Sequence, residues 1–379
     1  MKKAMFFVAL ASALGFSAAE AAELNWKGDV RYRYESQTKD DNVGTTEDHS
    51  RDRHRSRMRL GVYPWINDEL SAGVQISTGG LEPTSRNETF DDLFAADGIY
   101  MNEAFIDYHP MFFNGDVNLL LGKRDVAKTL IVEKDLVWDS DLTFEGLTLQ
   151  YGKDGDGKEK NGFSAVAGYY LLDENSSVTT KEQDPYMIVL QASYKGEISD
   201  LGYRIGAGYY DMVHLANYSV ASTTVSKPLD ASFNAYDFNM VEFFGSLGGD
   251  LTETLPWKMY GQYAFNTADH DRFSAIDDKK RDAYLVGLQV GNAKSPGQWS
   301  LGAEYVSIED YAVSDITDSD RNNSSFTNLE GFKISAVYHL VQNMTIGMNY
   351  FNFKNKDDAN ATTADDRQHL VQADVVVKF

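Results

Sequence analysis

The sequence predicts an all-β fold: a transmembrane antiparallel β-barrel of about sixteen strands, with short periplasmic turns and long external loops. Three observations predict it. Segment after segment alternates between apolar and polar residues with a period of two, which is typical of strands with one face on lipid and one on water. Tight connectors take turns with long polar ones. The last alternating segment ends on an aromatic residue, Phe379, as expected where the final strand pairs with the first to close a barrel.

The N-terminus has the features of a cleaved secretory signal. Lys2 and Lys3 are followed by an apolar stretch, 4–16, that is too short to span a bilayer as a helix. Small residues at Ala19 and Ala21 form a cleavage site. We therefore expect a signal peptide over residues 1–21 and one barrel domain over residues 22–379, exported to the outer membrane of a Gram-negative bacterium.

Composition restricts the class of protein further. The chain has no cysteine and a formal net charge of −22. Disulfides and thiolate metal sites are therefore excluded, and nucleic-acid binding, which needs a basic face, is not expected. The mean hydropathy of −0.41 is compatible with a barrel, because each strand shows lipid only its alternate residues. The acidic loops 37–50, 314–323 and 354–366 either solvate the surface or bind divalent cations among lipopolysaccharide phosphates.

Sixteen segments carry the alternating pattern, an even number as in single-chain barrels. In chain order they are 26–35, 55–62, 70–77, 103–108, 117–122, 147–151, 163–171, 186–194, 201–209, 236–247, 257–265, 284–290, 299–305, 332–340, 344–350 and 371–379. The pattern changes phase within 236–247, which predicts a β-bulge there. Prolines and glycines place tight turns at 64–68, 110–115, 196–200 and 291–297.

A row of arginines is the sharpest charged feature. Alternate residues of one strand are arginine, and two more alternate on the strand before it; the set is Arg51, Arg53, Arg55, Arg57 and Arg59 with Arg31 and Arg33. All must face the lumen, because a lipid-facing arginine near the bilayer midplane costs about 2–4 kcal/mol. The row is either a solvated wall paired with nearby acids or one side of a transverse field that selects solutes. Arg124 is a further candidate for this positive wall.

The segment 126–140 is too apolar for an external loop, since it contains Leu130, Ile131 and Trp138. It folds either into the lumen, where it narrows the pore, or outward as a lid or subunit contact. We expect its acids to oppose the arginines. The candidates are Glu133, Asp135, Asp139 and Asp141, with Glu103 and Asp107 on a neighbouring strand as lesser ones.

Three motifs, RHRSRMRLG at 53–61, STGG at 77–80 with nearby Pro83, and LVWDSDLTFEG at 136–146, resemble the putative porin family of bacterial outer membranes. The resemblance at motif level covers roughly the first 150 residues. It implies a diffusion channel and, by similarity to sixteen-stranded porins, a homotrimer. In general porins the third external loop constricts the lumen, and 126–140 is the third loop here.

Other chemistries find little support. The sequence has no GxSxG nucleophile elbow and no P-loop, and its seven histidines show no paired ligand spacing. We predict no cofactor and no metal site. The stretch Asp154-Gly155-Asp156-Gly157 suggests calcium, but Lys158 stands where a third ligand belongs, so a glycine-rich turn is the better interpretation.

We therefore expect a water-filled channel for passive diffusion of small hydrophilic solutes and ions, with a weak preference for anions at the constriction. Its partners would be outer-membrane lipid, lipopolysaccharide and the barrel assembly machinery. Three alternatives are a barrel enzyme of the phospholipase or protease type using His54 or His369, a plugged structural or adhesive barrel, and a conduit around an electron-transfer partner. The first two remain open from sequence alone, whereas a conduit needs a wider lumen than about sixteen strands leave.

Overall fold

A computed structural model describes residues 23–39, 50–175, 183–215, 237–268, 280–321, 327–356 and 367–379. Within these ranges sixteen long strands form one closed antiparallel sheet. They are β1 Glu23–Lys39, β2 Ser50–Asn67, β3 Leu70–Ser77, β4 Tyr100–Tyr108, β5 Val117–Asp125, β6 Thr143–Tyr151, β7 Gly162–Leu171, β8 Tyr186–Ile198, β9 Leu201–Val213, β10 Phe238–Thr252, β11 Leu255–Asn266, β12 Asp282–Gly291, β13 Trp299–Ile308, β14 Leu329–Val341, β15 Met344–Asn355 and β16 Arg367–Lys378. The predicted signal segment lies outside the described residues.

Regular structure outside the barrel wall is sparse in the described ranges. A two-residue strand, Glu88–Thr89, pairs with Arg55 and Ser56 of β2, and a 3₁₀ turn spans Met111–Phe113. One short helix, α1, spans Val126–Thr129. No helix in the part of the chain that is described is long and apolar enough to cross a bilayer.

The first and last strands close the barrel. β1 pairs with β16 from Asp29↔Lys378 to Lys39↔Gln368. Beyond β16, the Gly28 amide donates to the Phe379 carbonyl at 2.8 Å and the Phe379 amide donates to the Gly28 carbonyl at 3.1 Å. Closure leaves no unpaired edge, which a spanning sheet in lipid requires. Phe379 and the last strand therefore lie at the closing seam of the barrel.

Alternation along the strands separates two faces, as predicted. On β1 the outward Trp26 side chain is 52% exposed while the inward Arg33 is 5% exposed. Outward positions carry leucines, valines and aromatic rings along the other strands. Because the lipid-facing residues are apolar and the inward ones largely polar, the lumen is where charge can act.

Two details of the predicted wall are corrected. Pro64 lies within β2, opposite Leu24, and the β2–β3 turn is made by Asp68 and Glu69. The register shift of β10 falls at Asp250/Thr252 rather than within 236–247. The phase change there arises because inward positions of β10 are apolar where they pack against a loop inside the barrel.

Three external loops bound the space inside the barrel. We name them L2 (78–99), L3 (126–142) and L7 (309–328, described except for 322–326). L3 is the third loop and it folds inward, which is one of the two alternatives that the sequence left open. Its apolar residues join a buried cluster with inward side chains of the wall and with Ala312 and Val313 of L7. The hydrophobic core therefore lies inside the lumen, between L3 and one side of the barrel.

Candidate pore constriction

L3 is held against the wall by side chains that bond its backbone. Beyond α1 the loop has no regular hydrogen-bonded structure, so its buried carbonyls need other donors. Four consecutive carbonyls find them: Gln150 Nε2 donates to Lys128 O at 2.8 Å and Thr129 O at 2.7 Å, Lys153 Nζ donates to Leu130 O at 2.6 Å, and Gln191 Nε2 donates to Ile131 O at 2.8 Å. These bonds define the path of the loop residue by residue.

L7 forms hydrogen bonds with the second half of L3 from the external side of the barrel. The Thr317 hydroxyl lies 2.8 Å from the Leu136 carbonyl, to which it donates. Arg321, which is almost completely buried, donates to the Asp135 carbonyl at 3.0 Å and to the Asp135 carboxylate at 2.7 Å. The Asp139 amide donates to the Ile316 carbonyl at 2.9 Å. The two loops therefore form one body across the lumen.

Apolar packing completes the attachment. Leu130 and Leu136 are 0% exposed. The Trp138 ring makes edge-to-face contacts with Phe144 and Tyr210, with ring centroids 5.2 Å and 5.1 Å apart. Such geometry is favourable for aromatic pairs. Burial of these apolar side chains explains why the loop packs inside the barrel instead of extending into the external water.

The arginine row faces the lumen across β1 and β2. Arg31 lies opposite Arg57 and Arg33 opposite Arg55 in the strand register. Carboxylates of the same wall separate these like charges. Asp29 accepts from Arg57 at 2.8 Å and from Arg59 at 2.7 Å.

Two further wall acids pair with the row. Glu35 lies 2.7 Å from Arg53 and 3.2 Å from Arg55. Asp374 of β16 makes a two-point contact with Arg33, at 2.7 and 2.9 Å, the geometry that suits a guanidinium and a carboxylate. Among the described residues, Arg31 has no carboxylate within salt-bridge distance, and its guanidinium donates to Asn87 of L2.

Aspartates of L3 and L7 stand opposite the row. Asp141 lies 3.6 Å from Arg57 and 3.8 Å from Arg59, and Asp320 lies 3.3 Å from Arg33. Between the two sides is a cavity of about 160 Å³. Its lining is polar apart from one ring and includes arginines, the aspartates Asp135, Asp139, Asp141, Asp318 and Asp320, and Lys333. A solute here meets cations on one side and carboxylates on the other.

Burial changes the protonation of the loop aspartates. Desolvation, reinforced by the neighbouring charge of Asp135, raises the pKa of Asp318 to about 7. Desolvation, with Asp318 and Asp141 close by, also holds the pKa of Asp139 well above its usual range. The guanidinium of Arg321 lowers the pKa of Asp135 against the same desolvation. The acidic side of the constriction therefore carries less negative charge at neutral pH than its residue count suggests.

Four of the predicted pore-lining residues lie elsewhere. Glu133 is buried against Arg204 and Lys258, so it does not oppose the arginine row. Asp107 pairs with Arg124 at 3.2 Å, and both are buried. Glu103 is buried too, accepting from the Tyr63 hydroxyl at 2.6 Å. Glu103, Asp107 and Arg124 are therefore buried in pairs at the inner wall, and Glu133 borders the space beneath L3 instead of the arginine row.

Sequence reasoning missed Asp318, Asp320, Lys333 and Asp374. Asp29 and Glu35 could be found from the sequence, since they occupy the same set of alternate positions on β1 as Arg31 and Arg33. The other four come from distant parts of the chain and reach the row only through barrel closure and the fold of L7. The available signals were the acidic loop 314–323, which contains Asp318 and Asp320, and a lone charge at an inward strand position, Lys333.

A second cavity of about 920 Å³ lies beneath L3. It is lined by the periplasmic ends of β8 to β11, by the L3 tip and by the turn between β6 and β7. Glu133, Arg204 and Lys258 meet in it. L3 thus stands above a wider space that faces the periplasm.

Both histidines considered for catalysis contact a tyrosine hydroxyl. His54 Nδ1 lies 2.6 Å from the Tyr32 hydroxyl, and His369 Nδ1 lies 2.7 Å from the Tyr350 hydroxyl. Among the described residues, no group of three or more His, Asp or Glu side chains could hold a metal ion.

Comparison with known proteins agrees with this geometry. The family model described as "Putative porin" matches residues 16–246. The chain belongs to this family. With its closed barrel and inward loop, it is an outer-membrane channel protein. No curated protein sequence matches it.

Solved porin structures share the fold at low identity. OprB of Pseudomonas putida at high pH aligns with a TM-score of 0.57 and 11% identity over 94% of both chains. An anion-selective porin from Comamonas acidovorans aligns at 0.53 and 13%, covering 94% of this chain and 100% of that one. Salmonella typhi OmpF in complex with daunomycin aligns at 0.51 and 13%, covering 94% and 97%. At these identities the likeness shows the fold alone.

Proposed function

We propose that this channel passes small hydrophilic solutes and ions by passive diffusion between the arginine row and the L3–L7 aspartates, with a preference for anions and no catalytic step. The observation that carries the proposal is the cavity of about 160 Å³ with guanidinium groups on one side and carboxylates on the other. Wide pores discriminate between solutes by means of fixed charges at a narrow, water-filled point of the channel.

The preference for anions follows from which charges are permanent. Guanidinium groups keep their charge at any physiological pH. Asp139 and Asp318 do not, because burial raises the pKa of both carboxyls. Arg31, without a carboxylate partner among the described residues, leaves a cationic group facing the cavity. The structure of an anion-selective porin from Comamonas acidovorans is an example of anion preference on this fold.

Membrane context and assembly belong to the same proposal. The signal features of residues 1–21 support export and cleavage. The apolar outward faces support contact with outer-membrane lipid and lipopolysaccharide. The pairing of Phe379 with Gly28 supports recognition of the last strand by the barrel assembly machinery. A homotrimer is proposed from family likeness.

Single-channel conductance of the refolded protein in planar bilayers tests the function. Discrete open steps are expected, and under a salt gradient the reversal potential should have the sign of an anion-preferring pore. A heat-modifiable, folded barrel that shows no steps would refute the channel. In that case incubation with phospholipid or peptide substrates would test the barrel-enzyme alternative directly.

A further inference from the structure

The turn between β6 and β7 is unlike the tight periplasmic turns. We call these residues, 152–161, the T3 turn. The β2–β3 and β8–β9 turns have two residues each, Asp68–Glu69 and Ser199–Asp200, whereas the T3 turn has ten. Its shape is set by its own bonds: the Asp154 amide donates to the Lys158 carbonyl at 2.8 Å, and the Lys158 amide donates to the Asp154 carboxylate at 2.8 Å.

The T3 turn folds up into the barrel and touches L3. Gly157 has a φ of +80°, and a Cβ placed there would come within 2.6 Å of the Lys128 carbonyl oxygen. Arg124 donates to the Gly155 carbonyl at 3.2 Å. A glycine is therefore needed both for the backbone angle and for the close approach of turn and loop.

Lys153 makes the decisive contact. Its ammonium group donates to the Leu130 carbonyl at 2.6 Å, and the residue is only 1% exposed. The charged groups around it are Glu159 and Asp154 of the same turn, Arg124 of β5 and Arg204 of β9. Burying an ammonium group against a neutral carbonyl costs free energy, so stability alone does not account for a lysine here. Gln150 and Gln191 hold the adjacent carbonyls with uncharged amides.

We propose that the T3 turn props L3 from the periplasmic side through Lys153 and so sets the width of the channel at the constriction. Lys153 is then a positioning residue: it meets no solute at the arginine row but determines where L3 stands. The inference rests on the proposed function, because loop position has a transport consequence only if the barrel conducts.

The test compares Lys153→Met with Lys160→Met in single-channel recordings. Lys160 belongs to the same turn but bonds Asp116 at 2.7 Å and Gly115 O at 2.9 Å, away from L3. We expect Lys153→Met to show a second conductance level whose occupancy is about ten-fold or more above wild type, because hydrogen bonds to charged groups are worth that much. Lys160→Met should match wild type. A Lys153→Met trace identical to wild type would overturn the proposal.

A pH profile separates positioning from a general structural defect. Burial lowers the pKa of Lys153 to about 7, with Glu159 acting against that shift. Raising the pH from 6 to 8 should therefore increase occupancy of the second level in wild type, as the charge-assisted bond is lost. Lys153→Met should be independent of pH in this respect. Recording in an Asp318→Asn background removes the titration of that loop carboxyl, whose pKa is also about 7.

The outcomes distinguish the two proposals. If wild type does not conduct, the proposed function fails. If wild type conducts and its level occupancy is flat from pH 6 to 8, the role of Lys153 fails while the channel stands. This second measurement decides the matter even if Lys153→Met does not fold, which the heat-modifiable gel shift would reveal.

Discussion

Replacing Arg31 with glutamine is the cleanest perturbation of the constriction. Arg31 faces the cavity and its guanidinium donates to Asn87, so its removal strands no carboxylate. Arg57, by contrast, bonds Asp29, and its removal would change two charges at once. The variant Arg31→Gln therefore subtracts one positive charge while leaving a side chain that can still bond Asn87.

The expected change in ion preference in Arg31→Gln follows from Coulomb's law. Because Arg31 lines the cavity of about 160 Å³ together with Arg57 and Asp141, an ion in that cavity passes close to the Arg31 guanidinium. At about 5 Å in water, one charge contributes about 0.8 kcal/mol, which screening in 0.1 M salt reduces to about 0.5 kcal/mol. Anions should become about two-fold less favoured and cations about two-fold more favoured. The anion-to-cation permeability ratio should therefore fall about four- to five-fold.

The assay is the reversal potential of many open channels under a potassium chloride gradient. Arg51→Gln is the matched control, because Arg51 is on the same face of β2 but is exposed at the outer end of the strand. Its charge is screened by bulk water and its removal should change the ratio less. An unchanged ratio in Arg31→Gln, or an equal shift in both variants, would remove the arginine row from the selectivity mechanism.

Three further outcomes are expected. Because Asp318 has a pKa of about 7, it is neutral below that pH and negative above it. Reversal potentials should therefore move toward cation preference between pH 6 and 8, and Asp318→Asn should reduce that movement. Trp138→Ala, which empties a buried site between Phe144 and Tyr210, should lower the free energy of unfolding by about 3–5 kcal/mol. It should also raise conductance. Deleting Phe379 removes two backbone hydrogen bonds at the closing seam and should reduce the heat-modifiable fraction on gels, whereas Phe379→Tyr should not.

The barrel could be predicted because it depends on the alternation of apolar and polar residues along each strand, which is a local feature of the sequence. Trp26 and Arg33 have opposite parity on β1, and that parity alone places one on lipid and the other in the lumen. An excess of apolar residues in L3, among them Leu130 and Trp138, predicted that this loop leaves the water, either into the lumen or at an external contact. Each inference needed only a short window of sequence.

The constriction was harder to predict, because its ion pairs join residues that lie far apart in the chain. Asp374 meets Arg33 only through the β1–β16 register, and Asp320 does so only because L7 descends onto L3. Glu133 was assigned to the wrong side for the same reason, as its partners Arg204 and Lys258 lie on strands far along the chain. Charge patterns predict that partners exist, but loop topology decides which ones meet.

The attachment of L7 to L3 has a consequence for the permeability of the pore. Thr317 and Arg321 grip the L3 backbone, and both belong to a loop that emerges on the external side. A displacement of Thr317 or Arg321 would therefore be passed to the L3 backbone, and we expect substitutions at these two residues to change what the channel admits.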